Sequence, residues 1–386
     1  MRGRRDLRRS RFLSVALLPA LRPVLLAVLL LSLAGCGEYL GFAEFPEPDT
    51  GGIMKIRLSL TASSLAKLYD SVREDDYAPC IYEEDGERTE ALVKVRGFTS
   101  RIEYQKNFTV RIDIGAETLL YALDSSGASI KNALAMYAYR TVGLPAPQTE
   151  PVALFINGEY LGCYTRIEMY TEDLLRAHYG VGGELFKCHF TEIGLDFPLY
   201  DRSEKKFPDD EDFTTLNTLV YNACYLPDSA WSDWVVDYID VTDVIRYMVV
   251  HDFLAVYDTA TQNFYVHNHG KLSVLPWDNE EAMKSGLVNL YGDNLILERI
   301  VADPARKALY DSEMRRLFLD GVGVEPDNIL EDLYAEANRL FTAIETAVVN
   351  DPFVKLNGID FLDEKDTVLD FLDPLGRSAV LDPLIP

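Results

Sequence analysis

Regular alternation of apolar and polar positions predicts β-strands along much of the first half of the chain. Residues 53–60 alternate as one strand, and residues 91–113 alternate on both sides of Gly97, which predicts a hairpin that turns there. A second hairpin is predicted where Asn157-Gly158 stands between two apolar runs, because this dipeptide favours the tight turns that join antiparallel strands.

Apolar positions three and four residues apart predict helices in the rest of the chain. A helix over residues 130–142 stops at Gly143-Leu-Pro, a helix-terminating glycine followed by a breaker. A short helix near 172–179 and a strand over 184–190 come next. Beyond them one hairpin, 264–277, interrupts a series of predicted helices at 213–226, 240–256, 305–320 and 327–349. The pattern predicts an α+β fold, with a strand-rich N-terminal part and a helix-rich C-terminal part.

The first 35 residues have the organisation of an export signal. Arginines are followed by the apolar run Val24–Leu31 and then by Leu33-Ala34-Gly35-Cys36, the pattern after which bacterial lipoproteins are cleaved. The run is shorter than the ~20 residues that a membrane-spanning helix needs. We therefore expect a signal peptide at 1–35, lipidation of Cys36, and an exported protein that is anchored to a bacterial membrane in the cell envelope.

The remaining chain divides by composition and by predicted elements. Residues 36–52 resemble a flexible tether, 53–200 form the strand-rich part, and 201–350 form the helical part with its hairpin. Residues 351–386 are acidic and punctuated by proline, which predicts an acidic tail.

Charge limits the kinds of partner that the chain can bind. Lys and Arg number 37 against 62 Asp and Glu, a net charge of -25. Such a surface repels nucleic acid, so we exclude a nucleic-acid role, and it favours a basic protein partner. Export would allow disulfides, and Cys163 and Cys188 are the best candidate pair, although free thiols are equally compatible with the sequence.

Three oxygen-bearing side chains surround the predicted hairpin of the helical part. Asp258 follows the helix at 240–256, Asn263 comes five residues later, and Asp278 ends the hairpin after Pro276-Trp277. Because the hairpin returns the chain to its starting end, Asn263 and Asp278 should finish side by side. Phosphoryl transfer on the protein-kinase plan uses such a set: one carboxylate for the acceptor hydroxyl, and an Asn and an Asp for Mg²⁺.

Basic residues at the 91–113 hairpin could contact phosphate. Arg96 and Gly97 begin the turn, and Lys106 opens the returning strand on the same face as its apolar residues. A lysine on a buried face is costly unless it meets an anion. That anion is a nucleotide phosphate or a structural carboxylate, and the lysine could also extend past the strand end to water.

Taken together, several motifs resemble the CotH family of spore-coat kinases, in order over residues 53–285. They are Arg96-Gly97-x-x-Ser100-Arg101, Lys106, Gly143-Leu-Pro-Ala-Pro, Ile156-Asn-Gly-Glu-Tyr160-x-Gly-x-Tyr164-x-x-x-Glu168, Asp258-x4-Asn263 and Pro276-Trp277-Asp278. The resemblance implies a two-lobed, protein-kinase-like fold that binds ATP and Mg²⁺ and phosphorylates Ser or Thr on an envelope or surface protein.

The resemblance also implies a role for each matching residue. Asp258 would be the catalytic Asp, and Asn263 and Asp278 the metal ligands. The ATP-binding residues would be Arg96, Gly97, Lys106 and Glu168, the last near the junction of the lobes. Glu280 stands where the family usually has a second Asp after the Trp-Asp pair.

Two other functional classes stay open on the sequence alone. One is a non-catalytic envelope scaffold or adhesin that keeps the kinase-like fold, and the other is a glycosidase that uses two of Asp258, Asp278 and Glu280. Separately, His267 and His269 share a strand face and could bind a metal, but no third ligand is near them in sequence.

Overall fold

The computed structural model describes residues 47–70, 76–97, 101, 105–115, 117–189, 203–256, 262–284, 294–322 and 327–386. Cys36, Asp258 and the predicted signal peptide lie outside these ranges, so the interpretations made for them stay predictions. The α+β class is confirmed, with strands concentrated in the first half and helices in the second.

Seven strands of the first half close into a barrel, which the sequence did not predict. In chain order they are β1 (Met54–Ser59), β2 (Ala78–Glu84), β3 (Glu87–Arg96), β4 (Asn107–Ile114), β5 (Glu117–Ser125), β6 (Thr149–Ile156) and β7 (Glu159–Glu168). Around the barrel the order is β1-β2-β3-β4-β5-β7-β6. Only the β1–β6 pair that closes the barrel is parallel. Closure removes the exposed edges that an open sheet would leave for aggregation.

Both predicted hairpins of the barrel are confirmed. Arg96, the last residue of β3, pairs with Asn107, the first residue of β4, so the two strands turn where Gly97 was predicted to turn them. Asn157 and Gly158 join β6 to β7 with backbone φ angles of 49° and 83°, the left-handed conformation that this turn requires. The barrel interior is filled by the apolar face of each strand, including Ile56, Leu58, Val93, Phe108, Val110 and Leu154.

A second, four-stranded sheet carries the predicted hairpin of the helical part. Its strands are β8 (Glu184–His189), β9 (Glu204–Phe207), β10 (Gln262–Asn268) and β11 (Leu272–Pro276), in the antiparallel order β11-β10-β8-β9. Strands from both sides of the predicted boundary at residue 200 therefore share one sheet, and that boundary divides a single structural unit.

Helices pack around both sheets and make up most of the second half. They are α1 (Ala62–Asp70), α2 (Lys131–Thr141), α3 (Glu172–Tyr179), α4 (Thr214–Tyr225), α5 (Asp228–Tyr238), α6 (Val241–Phe253), α7 (Leu295–Val301), α8 (Pro304–Met314), α9 (Leu330–Asn350), α10 (Pro352–Asn357) and α11 (Phe361–Leu372). Within the ranges above, no helix combines the length and the apolar character that crossing a bilayer requires.

The segment 351–386 is folded, which corrects the prediction of an acidic tail. It contains α10, α11 and three short helical turns, and Val368 and Leu372 belong to the core of the helical part. The buried Arg377 donates hydrogen bonds to the backbone carbonyls of Asp252 and Phe253, at the C-terminal end of α6. The segment therefore supports the helix that leads to Asp258.

The four cysteines that the structure describes form no cross-link. Cys163 in β7 and Cys188 in β8 are both buried free thiols, so the candidate disulfide between them is not formed. Burial raises the pKa of the Cys163 thiol to about 12, which keeps it protonated and unreactive.

Candidate active site

The open end of the β10–β11 hairpin brings two of the predicted site residues together. Phe264 pairs with Pro276, so Asn263 and Asp278 extend from the same end of the two strands. The backbone φ angles of Asn263 and Asp278 are 62° and 55°, and that of the nearby Met283 is 60°. Left-handed conformations are strained for side-chain-bearing residues and concentrate at functional sites, although Asn and Asp tolerate them best.

Trp277 fixes the position of this segment against the barrel. It is buried in a cluster with Tyr170 and Tyr265, whose ring centroids lie 6.5 and 5.6 Å from its own. The Tyr170 hydroxyl donates to the carbonyl of Pro276 over 3.1 Å. The same cluster includes Ala122 on the outer face of the barrel and so joins β5 to the second sheet. Asp278 is thereby held at the contact between barrel and sheet.

A buried ion pair on the outer face of the barrel lies at this contact. Arg96, the last residue of β3, forms a salt bridge with Asp124 in β5, and its guanidinium carbon lies 5.3 Å from the centroid of the Trp277 ring. Burial disfavours the charge of Arg96, but the carboxylates of Asp124 and Asp278 outweigh this and raise the pKa of the guanidinium. Arg96 and Asp278, both predicted from the sequence as site residues, therefore interact electrostatically. Asp124 adds a second carboxylate to this group.

Lys187 is a second cation at the site, and the sequence analysis missed it. It lies in β8 directly opposite Tyr265, and its Nζ is 5.9 Å from the centroid of the Trp277 ring. Burial and the neighbouring charge of Arg96 lower the pKa of Lys187, while the carboxylate of Asp278 acts in the opposite direction. A signal was present, because Lys187 shares its strand face with the buried Leu185.

Glu280 adds a third carboxylate to those of Asp124 and Asp278. Burial, and then the like charges of Asp278 and Asp124, raise the pKa of Glu280 well above its usual value. Its side chain is still accessible to solvent because it lines a cavity of about 330 Å³. Other residues on the cavity wall are Asp124, Ser125, Asn132, Thr165 and Lys284. Carboxylates that raise one another's pKa form a natural site for a divalent cation.

Asn279, which lies between Asp278 and Glu280, is held in place through buried amide groups. The backbone N–H of Asn279 donates to Oδ1 of Asn132 in α2 over 3.0 Å. Both amide atoms of the Asn279 side chain, and Nδ2 of Asn132, are buried without a hydrogen-bond partner among the described residues. Unpaired buried amides are costly, so a water molecule or a ligand belongs beside them.

Comparison with known proteins assigns this arrangement to a family. The family described as CotH kinase protein matches residues 93–372, which include the barrel strands β4 to β7, the second sheet and most of the helices. The chain belongs to the CotH kinase family. A curated relative, the inner spore coat protein H of Bacillus subtilis (strain 168), is 21% identical over an alignment of 351 positions that covers 82% of this chain and 93% of that protein.

Among solved structures, one match is a proinflammatory kinase of Helicobacter pylori, CtkA. The match covers 74% of this chain and 91% of that chain at 10% sequence identity, with a TM-score of 0.29. A TM-score this low does not establish a common fold.

The remaining residues expected from the CotH resemblance lie around the barrel. Gly97 directly follows Arg96 and has a φ of 99°, a conformation that favours glycine. Lys106 directly precedes β4, and its ammonium donates to the backbone carbonyl of Arg101 over 2.6 Å. Glu168 ends β7 and lines a different cavity of about 510 Å³, together with Arg166. The structure therefore places Arg96, Gly97, Asn263 and Asp278 at the contact between the barrel and the second sheet. The contacts of Lys106 and Glu168 lie elsewhere on the barrel.

This arrangement offers oxygen ligands and cations close to Trp277–Asp278. Carboxylates of Asp278 and Glu280 suit Mg²⁺, which prefers oxygen donors and keeps part of its water shell. Arg96 and Lys187 suit the oxygens of a polyphosphate. The residues present thus fit a nucleotide with its metal.

Proposed function

We propose that the chain is a CotH-like atypical protein kinase that transfers the γ-phosphoryl group of ATP, with Mg²⁺, to Ser or Thr of an envelope or surface protein. One observation carries the proposal: three carboxylates and two partly buried cations lie together around the Trp277–Asp278 segment. They are Asp124, Asp278, Glu280, Arg96 and Lys187. Membership of the CotH kinase family supports the same reading.

Within this proposal each residue of the chain has a task. Asp258 accepts and orients the proton of the acceptor hydroxyl, and Asn263 and Asp278 hold the metal, with Glu280 beside them. Arg96, Gly97 and Lys106 contact phosphate, and Glu168 lies near the junction of the lobes. When bound, the metal–nucleotide pair supplies the phosphoryl group and neutralises its charge. Positioning and fixed charge account for most of the rate enhancement in such reactions.

The proposal also covers the arrangement of the two lobes and the location of the protein in the cell. The barrel acts as the phosphate-binding lobe, and the second sheet with its helices acts as the larger lobe, on the protein-kinase plan. The protein is exported and anchored to the membrane through a lipid on Cys36. A basic segment of the acceptor protein would complement the net charge of -25.

Incubation with labelled ATP and Mg²⁺ tests the activity, with self-labelling and labelling of envelope proteins as readouts. Asp258→Ala and Asp278→Asn should each lower the rate by about 1000-fold or more, because each removes a charge on which the transition state depends. Asn tolerates the left-handed conformation of position 278, so the second variant should keep its fold.

Two results would contradict the proposal. Labelling by Asp258→Ala at the wild-type rate would remove Asp258 from the mechanism. Failure of the wild-type protein to bind any nucleotide, seen as the absence of a thermal shift with Mg²⁺ and ATP, would favour the non-catalytic envelope scaffold instead.

A further inference from the structure

A group of possible metal ligands lies at the opposite end of the β10–β11 hairpin from Asp278. Asp240 and Asp243 begin α6, and His269 lies in the hairpin turn between β10 and β11. Each offers one ligand atom, and the three atoms lie within 4.8 Å of one another. No further ligand lies near His269 in the sequence. The fold brings two carboxylates to it from the start of α6.

Backbone contacts fix these residues independently of any ion. The N–H of Asp240 donates to the carbonyl of Leu272 over 2.9 Å, next to a parallel bridge between Ile239 and Leu272. The Asp240 carboxylate caps α6 by accepting from the N–H of Asp243 over 3.2 Å. The start of α6 is thus joined to the start of β11, beside the turn that holds His269.

A network of hydrogen bonds and one ring stack orient the ligands. The Tyr179 hydroxyl donates to Oδ2 of Asp243 over 2.8 Å, and the Tyr179 ring stacks on His269 with centroids 4.0 Å apart. The Ser273 hydroxyl lies 3.0 Å from Nε2 of His269 and 3.2 Å from Oδ2 of Asp243. Metal sites in proteins are typically supported by such an outer set of contacts, which fixes the ligand geometry.

His267 is the buried neighbour of His269 and lies outside the group of three ligand atoms. It is fully buried, with 0% of its surface exposed, and its ring stacks on that of His269 at 5.5 Å. Nε2 of His267 lies 2.6 Å from the carbonyl of Gly182, which can only accept, so this nitrogen carries the proton. Nδ1 therefore presents a lone pair, and no described residue donates to it.

We infer that Asp240, Asp243 and His269 form a binding site for a divalent transition metal. One imidazole with two carboxylates best suits Zn²⁺, which accepts nitrogen and oxygen donors in a four-coordinate site. The ion would tie the hairpin turn to the start of α6 and so stabilise the two elements that lead to Asn263, Asp278 and Asp258. This site does not depend on the proposed phosphotransfer.

Titration of the metal-free full chain with Zn²⁺ alone, by calorimetry without nucleotide, tests the inference. Asp240→Asn is the sharpest variant, because Asn caps a helix as well as Asp does but lacks the charge. His269→Gln is the second variant. Asp237→Asn in α5 and His178→Gln in α3 are matched controls, since both are exposed and lie outside the three-residue group.

We expect one equivalent of Zn²⁺ to bind to wild type, to both controls and to Asp278→Asn. Affinity should fall at least about tenfold in Asp240→Asn and in His269→Gln. Unchanged affinity in these two variants, loss of binding in Asp278→Asn, or no saturable binding to wild type would each overturn the inference. Co²⁺ added to wild type gives a test without substitution: a visible spectrum without the bands of a four-coordinate, imidazole-bound ion would also overturn it.

Discussion

Lys187 is a partly buried charge at the candidate active site. It lies on the strand face that also buries Leu185, beside Trp277 and within the electrostatic reach of Arg96 and Asp278. A lysine in such a position is stabilised by a neighbouring anion, and a nucleotide phosphate would supply one. The same argument was made from sequence for Lys106, whose ammonium instead contacts the backbone of Arg101.

Replacement of Lys187 by Gln tests its role in the proposed reaction. A hydrogen bond to a charged group contributes about 1.5–3 kcal/mol, so the affinity for ATP with Mg²⁺ should fall by roughly 10- to 100-fold. Lys271→Gln is the control, because Lys271 is exposed in the turn between β10 and β11, at the far end of the same sheet. Binding measured by calorimetry separates the two variants, and equal affinities would exclude Lys187 from the phosphate site.

At the scale of elements, the sequence predicted several of the strands and helices that have one solvent-facing side. The helix near 172–179 and the Asn157-Gly158 hairpin are both confirmed. Strand β5 was missed because its second half is buried on both faces: Leu123 packs inside the barrel, and Ala122 packs against the second sheet. Such a strand has no polar alternation to recognise, and its Asp124 was missed with it.

Asn132 connects one element, α2, to the segment that carries the candidate site. Asn132→Ala would leave the buried N–H of Asn279 without its acceptor, which costs about 1–3 kcal/mol of unfolding free energy. Asn338→Ala is the control, since Asn338 is a half-buried residue of α9 whose amide donates within its own helix, to the carbonyl of Tyr334. Urea denaturation measures both, and an equal, small change in the two variants would show that the Asn132 contact does not hold the segment.

Across the whole molecule, the C-terminal segment completes the core that the barrel and the second sheet leave open. The Asp351 carboxylate accepts from the N–H of Cys163 in β7 over 2.7 Å and also caps α10. The segment looked like a tail because it is rich in Asp and Pro. In the structure, Asp351-Pro352 and Asp373-Pro374 instead begin helices, with Asp as the capping residue and Pro in the first turn.

Two leucines three residues apart provide a matched test of this packing. Leu372 ends α11 with 0% of its surface exposed, whereas Leu375 is 88% exposed. Leu372→Ala should lower the unfolding free energy by about 2–5 kcal/mol, since it leaves a cavity in the shared core. Leu375→Ala should change it by less than about 0.5 kcal/mol. Thermal and urea unfolding of the two variants decide the matter, because a segment that behaved as a solvated tail would make both substitutions equally silent.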